Sequence, residues 1–130
     1  MNEDRLSMNP VFIEATQDTP SIILNRATNT FIIAERSYPE DAYEFYIPVL
    51  HWIEAYCKAA NDSTVFEFKL DYFNTTSSKQ IFKIMLLLEE LSKNKNVIIR
   101  WYFKGTDREM KTHGEIFSKI ITTSFELIEY

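Results

Sequence analysis

Five consecutive small polar residues, Asn74-Thr75-Thr76-Ser77-Ser78, are the most informative feature of this sequence. They follow an alternating apolar run over residues 65–73 and precede a segment of helical apolar spacing that starts near Ile81. The N-terminus of a helix presents free N–H groups and a partial positive charge, which favour an anion. Function also gathers past the carboxyl ends of strands in open α/β sheets. Capping needs only one hydroxyl. Residue chemistry alone therefore leaves two interpretations open, simple capping or a hydroxyl that accepts phosphate.

Residues of the usual catalytic and metal-binding types are few. The chain has one cysteine, Cys57, and two histidines, His51 and His113. Cys57 follows His51 by six residues, which places the two roughly 240° apart around a helix axis, so they cannot form a dyad within one helix. The adjacent carboxylates Glu40-Asp41 and Glu89-Glu90 diverge by about 100° on a helix and do not converge on one metal or one bond. We therefore expect no catalytic residue, no metal site and no cofactor.

The composition excludes several functional classes. The two glycines, Gly105 and Gly114, are too few for a dinucleotide fingerprint or a Walker loop. With 19 acidic against 14 basic residues and a net charge of −5, the chain is a poor nucleic-acid binder. The longest stretch without a formal charge, Phe45–Ile53, is too short to cross a bilayer. The first five residues, MNEDR, lack the pattern of a signal peptide. We expect a cytoplasmic protein without nucleic-acid binding or direct membrane insertion.

Length and periodicity together predict the domain organisation. A chain of 130 residues that is 45% hydrophobic fits one domain with a core that needs no disulfide. Residues 1–10 are polar and without periodicity, which predicts a flexible N-terminal tail ahead of a single domain over residues 11–130. Within that domain we expect the order strand, strand, strand, helix, strand, helix, strand, helix, strand. The fold class is therefore α/β, with a mixed sheet of about five to six strands and helices packed across it.

Local patterns give more detailed expectations. Period-two alternation predicts that residues 65–73 form the central strand, with Phe66, Phe68, Leu70 and Tyr72 on one face. A Ser or Thr followed three residues later by Glu or Gln is the capping-box pattern, and it predicts helix starts at Ser37, Ser77 and Thr106. Pro48 lies within the first helical pattern and cannot donate to the carbonyl of Glu44, which predicts a kink or a restart there.

The approach to the first helix is rich in aromatic residues. It carries more of them than a core helix requires, so some are expected to remain exposed as anchors for a partner. The candidates for partner contact are Tyr38, Tyr43 and Phe45, with packing into the core as the alternative.

Several blocks of the sequence, in the same order, resemble the SiaC family of regulatory phosphoproteins from about Thr16 to Ile128. The matching blocks are TQDTP (16–20), SYPE (37–40), EFYIPVL (44–50), EFKLDYFNT (67–75) and RWY (100–102). Ala15 departs from the family pattern, in which glycine is usual. The resemblance implies a fold similar to the STAS domains of anti-sigma-factor antagonists.

The resemblance also implies a non-enzymatic adaptor in a partner-switching pathway. In that family, the threonine after the asparagine of the strand-to-helix turn is phosphorylated by a serine/threonine kinase and dephosphorylated by a PP2C-type phosphatase. The unmodified form binds and activates a diguanylate cyclase, which links the switch to cyclic-di-GMP signalling and biofilm regulation. Carried onto this chain, the acceptor is Thr75, with Thr76 as its rival and with Asn74, Ser77 and Ser78 flanking the site. The alternative is a module that binds a small molecule or an anion at the same turn.

Overall fold

The computed structural model describes residues 9–130, which form six strands and three helices in the predicted order. The strands are β1 (Val11–Ile13), β2 (Ser21–Asn25), β3 (Thr30–Ser37), β4 (Ser63–Phe73), β5 (Asn96–Phe103) and β6 (Ser124–Glu129). The helices are α1 (Ala42–Lys58), α2 (Thr75–Leu91) and α3 (Arg108–Ile120). Residues 1–8 of the predicted tail lie outside the described residues. The carbonyl of Asn9, near the end of that segment, accepts a hydrogen bond of 2.7 Å from the Trp52 indole.

All six strands form one sheet in the order β1-β2-β3-β4-β5-β6. The first three strands pair antiparallel, and β3 to β6 pair parallel. Each helix connects two neighbouring parallel strands, and right-handed crossovers that all step in the same direction place the helices on one face of the sheet. The predicted mixed α/β fold is therefore confirmed. The carboxyl ends of β3, β4 and β5 meet the N-termini of the helices at one edge, which we call the carboxyl edge.

The core lies between this sheet and the helices. Phe66, Phe68 and Leu70 of β4 and Trp101 of β5 are buried in it. The Trp101 indole donates a hydrogen bond of 2.9 Å to the carbonyl of Met110 in α3. On the opposite face, Arg100 pairs with Glu126 at 2.9 Å, and alternate residues of β5 there stay partly exposed. Burial on one face only is what the alternation in these strands predicts.

The predicted alternation fails at the end of β4. The register of β3 against β4 shifts between Glu35 and Arg36, and the pairing passes from Leu70 to Tyr72. Phe73 is therefore buried instead of Tyr72, which is 48% exposed. The prediction that Tyr72 shares the buried face is wrong because an irregularity of one residue reverses the faces of all later residues. Tyr72 is thereby displayed next to the carboxyl edge.

Asp or Asn caps all three described helices. The side chains of Asp41, Asn74 and Asp107 accept hydrogen bonds of 2.9–3.0 Å from the backbone N–H three residues later. This geometry satisfies one of the free donors at each helix start.

The predicted helix starts at Ser37, Ser77 and Thr106 are therefore wrong. Ser37 is the last residue of β3, and Ser77 lies inside the first turn of α2. Thr106 precedes the real cap, Asp107, by one residue. In each case a nearby Asp or Asn supplies the cap, and Thr is a weaker cap than either. The hydroxyls of Ser37 and Ser77 are used inside the protein instead.

Helix α1 continues without interruption through Pro48, so the predicted restart does not occur. Tyr46 and Val49, on either side of the proline, are fully buried. Burial of apolar side chains on both sides stabilises the helix against the loss of one backbone hydrogen bond at Glu44. None of the helices within residues 9–130 has the length and apolar character needed to span a membrane.

Candidate functional site

The first turn of α2 lies at the carboxyl edge and is held by backbone contacts. Asn74 donates from its backbone N–H to the carbonyl of Ser37 at the end of β3, at 3.1 Å. Its side-chain oxygen accepts from the N–H of Ser77 at 2.9 Å, and its own carbonyl accepts from the N–H of Ser78 at 2.9 Å. Because β3 and α2 are joined through one residue, the position of this turn is fixed by the sheet.

The four hydroxyls of this turn differ in accessibility. Thr75 and Thr76 are exposed, Ser78 is half-buried and Ser77 is completely buried. The Thr76 hydroxyl donates to the Asn74 side chain at 3.2 Å. The Thr75 hydroxyl makes no hydrogen bond to any residue between 9 and 130. Thr75 therefore presents the more available of the two exposed hydroxyls.

A buried chain of hydroxyls lies beneath the turn. Ser37 donates from its side chain to the Ser77 hydroxyl at 2.9 Å, and a second hydrogen bond of 2.7 Å joins Ser37 to the Tyr46 phenol. All three side chains have no exposed surface. These hydrogen bonds link the end of β3, the start of α2 and the second turn of α1, so three elements meet under the site. Sequence reasoning missed it, since Ser37 and Ser77 have the spacing of helix caps.

Burial raises the pKa of Tyr46 to about 12, while the hydrogen bond with Ser37 acts in the opposite direction. The phenol is therefore neutral at physiological pH and serves as a hydrogen-bonding group. Hydrogen bonds of this kind in a core fix one arrangement of the surrounding elements because an unpaired partner is costly. The chain can hold the turn in place. It cannot itself accept phosphate from a kinase in the folded state.

The electrostatics of the first turn favour an added anion. The first turn of α2 contains no acidic residue, whereas α1 has Glu44 and α3 has Glu109 there. Lys79 is exposed four residues after Thr75, which on a helix places the two on neighbouring positions of one side. A negative group on Thr75 would therefore meet the positive end of the helix and a nearby ammonium.

Two aromatic rings lie at the same edge, the half-buried Tyr38 and the exposed Tyr72. Tyr38 contacts Tyr72 edge-to-face, with 5.6 Å between ring centroids, and the Arg36 guanidinium lies 5.0 Å from the centre of the Tyr38 ring. Tyr72 lies two residues before Asn74, the residue that caps α2. The structure thus brings one predicted partner contact, Tyr38, together with the turn, and it adds Tyr72, which the alternation pattern had placed inside.

The other two aromatic candidates lie on α1. Tyr43 is 59% exposed, and the Lys83 ammonium of α2 lies 5.3 Å from its ring centre. Phe45 is only half-buried, but it packs against the core and against the Tyr46 ring at 5.1 Å. Tyr43 is therefore available to a partner, whereas much of Phe45 supports α1.

No catalytic pair forms from the cysteine and the histidines. The Cys57 thiol donates to the carbonyl of Leu87 at 3.8 Å, and burial together with Glu54 raises its pKa to about 11, so it is a poor nucleophile. His51 is exposed, and His113 packs on the Phe73 ring at 4.8 Å. Among the residues that the structure describes, no group of three or more His, Cys, Asp or Glu side chains is placed to hold a metal ion.

A small cavity of about 180 Å³ lies at the carboxyl edge between the end of β4 and α3. Its walls include three carboxylates, Asp71, Asp107 and Glu109. Because these carboxylates repel anions, the cavity does not support the alternative hypothesis that an anion binds beside the turn.

Comparison with known proteins places the chain in a family. The family model described as SiaC family regulatory phosphoprotein matches residues 13–130. An uncharacterized protein of Pseudomonas aeruginosa is 27% identical over 121 residues, which cover 92% of this chain and 96% of that protein. The structure of SiaC of Pseudomonas aeruginosa aligns with a TM-score of 0.86 at 27% identity, over 95% of this chain and 100% of SiaC.

A further similar structure shows the relative in an assembly. A chain in the crystal structure of the Pseudomonas aeruginosa diguanylate cyclase SiaD in complex with its activator SiaC aligns with a TM-score of 0.87. The identity is 26%, and the alignment covers 92% of this chain and 99% of that one. With nearly the whole domain matched by the family model, the chain belongs to the SiaC family of regulatory phosphoproteins.

Proposed function

We propose that this protein is a non-enzymatic switch that binds and activates a diguanylate cyclase when it is unmodified. In this proposal a serine/threonine kinase phosphorylates Thr75 and a PP2C-type phosphatase removes the phosphate. The output is the level of cyclic-di-GMP, and through it biofilm formation. The cyclase partner is supported by the complex of SiaC with SiaD in Pseudomonas aeruginosa. We also propose that the protein is cytoplasmic, as expected from the sequence.

One observation carries the assignment of the acceptor. Thr75 is the first residue of α2, is exposed, and has a hydroxyl free of hydrogen bonds within the described residues. Ser77, two residues later, has the same chemistry but is sealed in the core. Thr76 is exposed as well, but its hydroxyl is engaged with the Asn74 cap. A kinase can therefore reach the Thr75 hydroxyl without breaking a hydrogen bond or exposing a buried side chain.

Phosphate at this position acts on binding more than on the fold. It adds about −1.5 to −2 charges at neutral pH. At a helix start it gains only about 0.3–1 kcal/mol from the dipole, too little to rearrange a packed domain. Buried in an interface without a matching cation, the same charge costs several kcal/mol. Each 1.4 kcal/mol of lost binding free energy lowers the affinity about tenfold. The phosphate therefore abolishes the complex while the domain stays folded.

The arrangement of the reactive side chains supports a role without catalysis. The one cysteine is protonated at neutral pH and bonded to a backbone carbonyl, and the two histidines lie on different helices, α1 and α3. A regulatory protein of this kind acts through the surface that it offers to its partners.

The site assignment is tested by phosphorylation and mass spectrometry. The protein is incubated with each serine/threonine kinase of the source organism, and the modified residue is mapped in the wild type, Thr75→Ala and Thr76→Ala. We expect phosphate on Thr75 in the wild type and in Thr76→Ala, and none in Thr75→Ala. Equal modification of Thr75→Ala would place the acceptor elsewhere. A cyclic-di-GMP assay with each purified diguanylate cyclase of the organism tests the partner, and no activation by the unmodified protein would contradict the proposed function.

A further inference from the structure

Glu35, near the end of β3, has an unusual backbone conformation. Its φ is 74°, in the left-handed region, and within residues 9–130 the other positive φ is that of Asn29, at 56°. Most residues with a Cβ atom avoid this region because that atom clashes with the backbone, and asparagine tolerates it better than glutamate does. The Glu35 carboxylate forms no ion pair with any residue from 9 to 130. The surrounding structure must therefore hold the backbone of Glu35 in place.

The left-handed conformation reverses the side on which the Glu35 side chain lies. In β3 the buried residues Phe31, Ile33 and Ser37 follow a period of two, which would place residue 35 on the same face. Glu35 is exposed instead. A regular strand would bury its carboxylate without a partner, which is strongly unfavourable. The left-handed residue keeps this carboxylate in water and lets Ser37 return to the buried face.

The pairing of β3 with β4 becomes irregular at the same position. The register shifts directly after Glu35, where Asp71 of β4 is passed over without a partner in β3. An extra residue of this kind in one strand is a bulge. Beyond the bulge Ser37 pairs with Phe73, whereas regular pairing would place it opposite Tyr72. Every residue of β4 after the bulge is therefore displaced by one position relative to β3.

This displacement reaches the first turn of α2 because that helix starts directly after β4. Asn74, the residue between them, caps α2 and donates from its backbone N–H to the carbonyl of Ser37 at 3.1 Å. Without the extra residue in β4, Asn74 would lie one position, about 3.3 Å, beyond this carbonyl. The Ser37–Ser77 hydrogen bond then holds Ser77 inward, while Thr75 is exposed. The bulge therefore determines which hydroxyls of the turn face the core and which face solvent.

We infer that Glu35 is a positioning residue for phosphorylation: its left-handed backbone fixes the bulge between β3 and β4 and so presents Thr75, instead of Thr76, to the kinase. The inference rests on the function proposed above and adds to it a residue that acts from another strand. Strained backbone conformations cluster at functional sites, where the surrounding structure maintains them. Because Glu35 acts through its backbone, glycine or asparagine can replace it, whereas a β-branched residue cannot.

The test compares variants of Glu35 that differ in their tolerance of a positive φ. Glu35→Gly and Glu35→Asn accept the left-handed conformation, whereas Glu35→Val opposes it. Asn29→Val is the matched control, since Asn29 also has a positive φ but precedes the first residue of β3, at the other end of the strand. Urea unfolding gives the stability of each variant. Amide exchange followed by NMR reports on the hydrogen bond of the Asn74 N–H.

The kinase identified in the assay above is then used to measure initial rates of phosphorylation, with the sites mapped by mass spectrometry. We expect Glu35→Val to slow the modification of Thr75 at least about tenfold relative to Thr76, because a small misplacement of a reacting group is costly. It should also speed the amide exchange of Asn74. Glu35→Gly and Glu35→Asn should stay within about twofold of the wild-type rate. Asn29→Val should lose stability but keep that rate.

The outcomes separate this inference from the proposed function. Wild-type phosphorylation of Thr75 and wild-type exchange of Asn74 in Glu35→Val would overturn the role of Glu35 and leave the proposed function intact. An equal loss in Asn29→Val would also overturn it, because lost stability would explain the effect. If Glu35→Val does not fold, Glu35→Gly decides: glycine weakens a regular strand, so a stability below that of the wild type would contradict the inference. Absence of phosphate from Thr75 in the wild type would overturn the proposed acceptor, and with it the positioning role.

Discussion

The Ser37 hydroxyl donates a hydrogen bond of 2.9 Å to the Ser77 hydroxyl, across 40 residues of sequence and with both groups fully buried. Ser77 is the inward-facing member of the polar stretch at the start of α2, and Thr75 is an outward-facing one. This short stretch therefore presents hydroxyls both to the core and to solvent. Its buried hydroxyl joins the helix start to β3, and the Thr75 hydroxyl lies on the surface. In the proposed switch, this support under Thr75 keeps the effect of a phosphate on the surface.

Removal of the buried hydroxyl is expected to destabilise the protein without changing the acceptor. Ser77→Ala leaves the Ser37 donor without its partner in the core, which costs about 1–2 kcal/mol of unfolding free energy. The matched control Ser78→Ala, at the half-buried neighbouring position, should stay within about 0.5 kcal/mol of the wild type. Urea unfolding measures both. Equal stabilities of the two variants would show that the Ser37–Ser77 bond contributes nothing.

Stability is expected to fall in alkaline solution because of Tyr46. Burial raises its pKa from the ordinary value of 10.0 to about 12 in the folded protein. Between these values the unfolded chain loses the phenolic proton while the folded protein keeps it buried and neutral. This contribution is fully present below pH 10 and is lost as pH rises toward 12, by about 2–3 kcal/mol in total.

The variant Tyr46→Phe tests this pH dependence. Below pH 10 it should be less stable than the wild type by about 1 kcal/mol, since the hydrogen bond with Ser37 is lost. The difference should shrink above pH 10 and vanish near about pH 11, because phenylalanine has no proton to lose. Unfolding curves measured from pH 8 to 11.5 give the unfolding free energies of both proteins. If the two free energies changed in parallel with pH, Tyr46 would not be the source of the pH dependence.

The two glycines are expected to respond differently to alanine. A Cβ atom at Gly114 would clash with the buried Trp101 ring and would lie 2.6 Å from the Leu127 side chain. At Gly105 it would meet only the flexible Glu129 side chain, at 2.7 Å from the carboxylate oxygen. Gly114→Ala should therefore cost about 1–3 kcal/mol, despite the better helix propensity of alanine. Gly105→Ala should be nearly neutral. Thermal unfolding compares them, and an unchanged melting temperature for Gly114→Ala would mean that α3 shifts without cost.

Periodicity predicted the element order and the mixed sheet because the apolar faces of β4, β5 and α2 follow their ideal repeats over many residues. Periodicity failed where one residue decides which face of a strand is buried or where a helix begins. The register shift beside Glu35 turned Tyr72 outward, and no residue pattern in β4 marks that shift. Helix starts were misplaced since Asp41, Asn74 and Asp107 outcompete the nearby hydroxyls as caps.

The polar stretch was identified from its position between strand and helix, but its division into buried and exposed hydroxyls depends on tertiary contacts. The buried Ser77 hydroxyl bonds to Ser37, which in turn bonds to Tyr46, and both partners are distant from Ser77 in sequence. The cavity between α1 and α2 that is lined by Tyr43, Leu50 and Leu86 likewise depends on two helices together, because the helical pattern of either one shows only its own apolar face. Leu86, which is 42% exposed, is an apolar position of α2 outside its buried face.

The most direct test of the proposed switch uses the cyclase that the unmodified protein activates. The affinity of this cyclase is measured for the unmodified protein and for the protein that carries phosphothreonine only at position 75. Isothermal titration calorimetry measures the Kd, and amide exchange establishes whether the domain itself has changed. We predict a loss of affinity of about 100-fold or more, as expected when several kcal/mol are lost at an interface, with the exchange pattern of the sheet preserved. Equal affinities for the two forms would contradict the central claim.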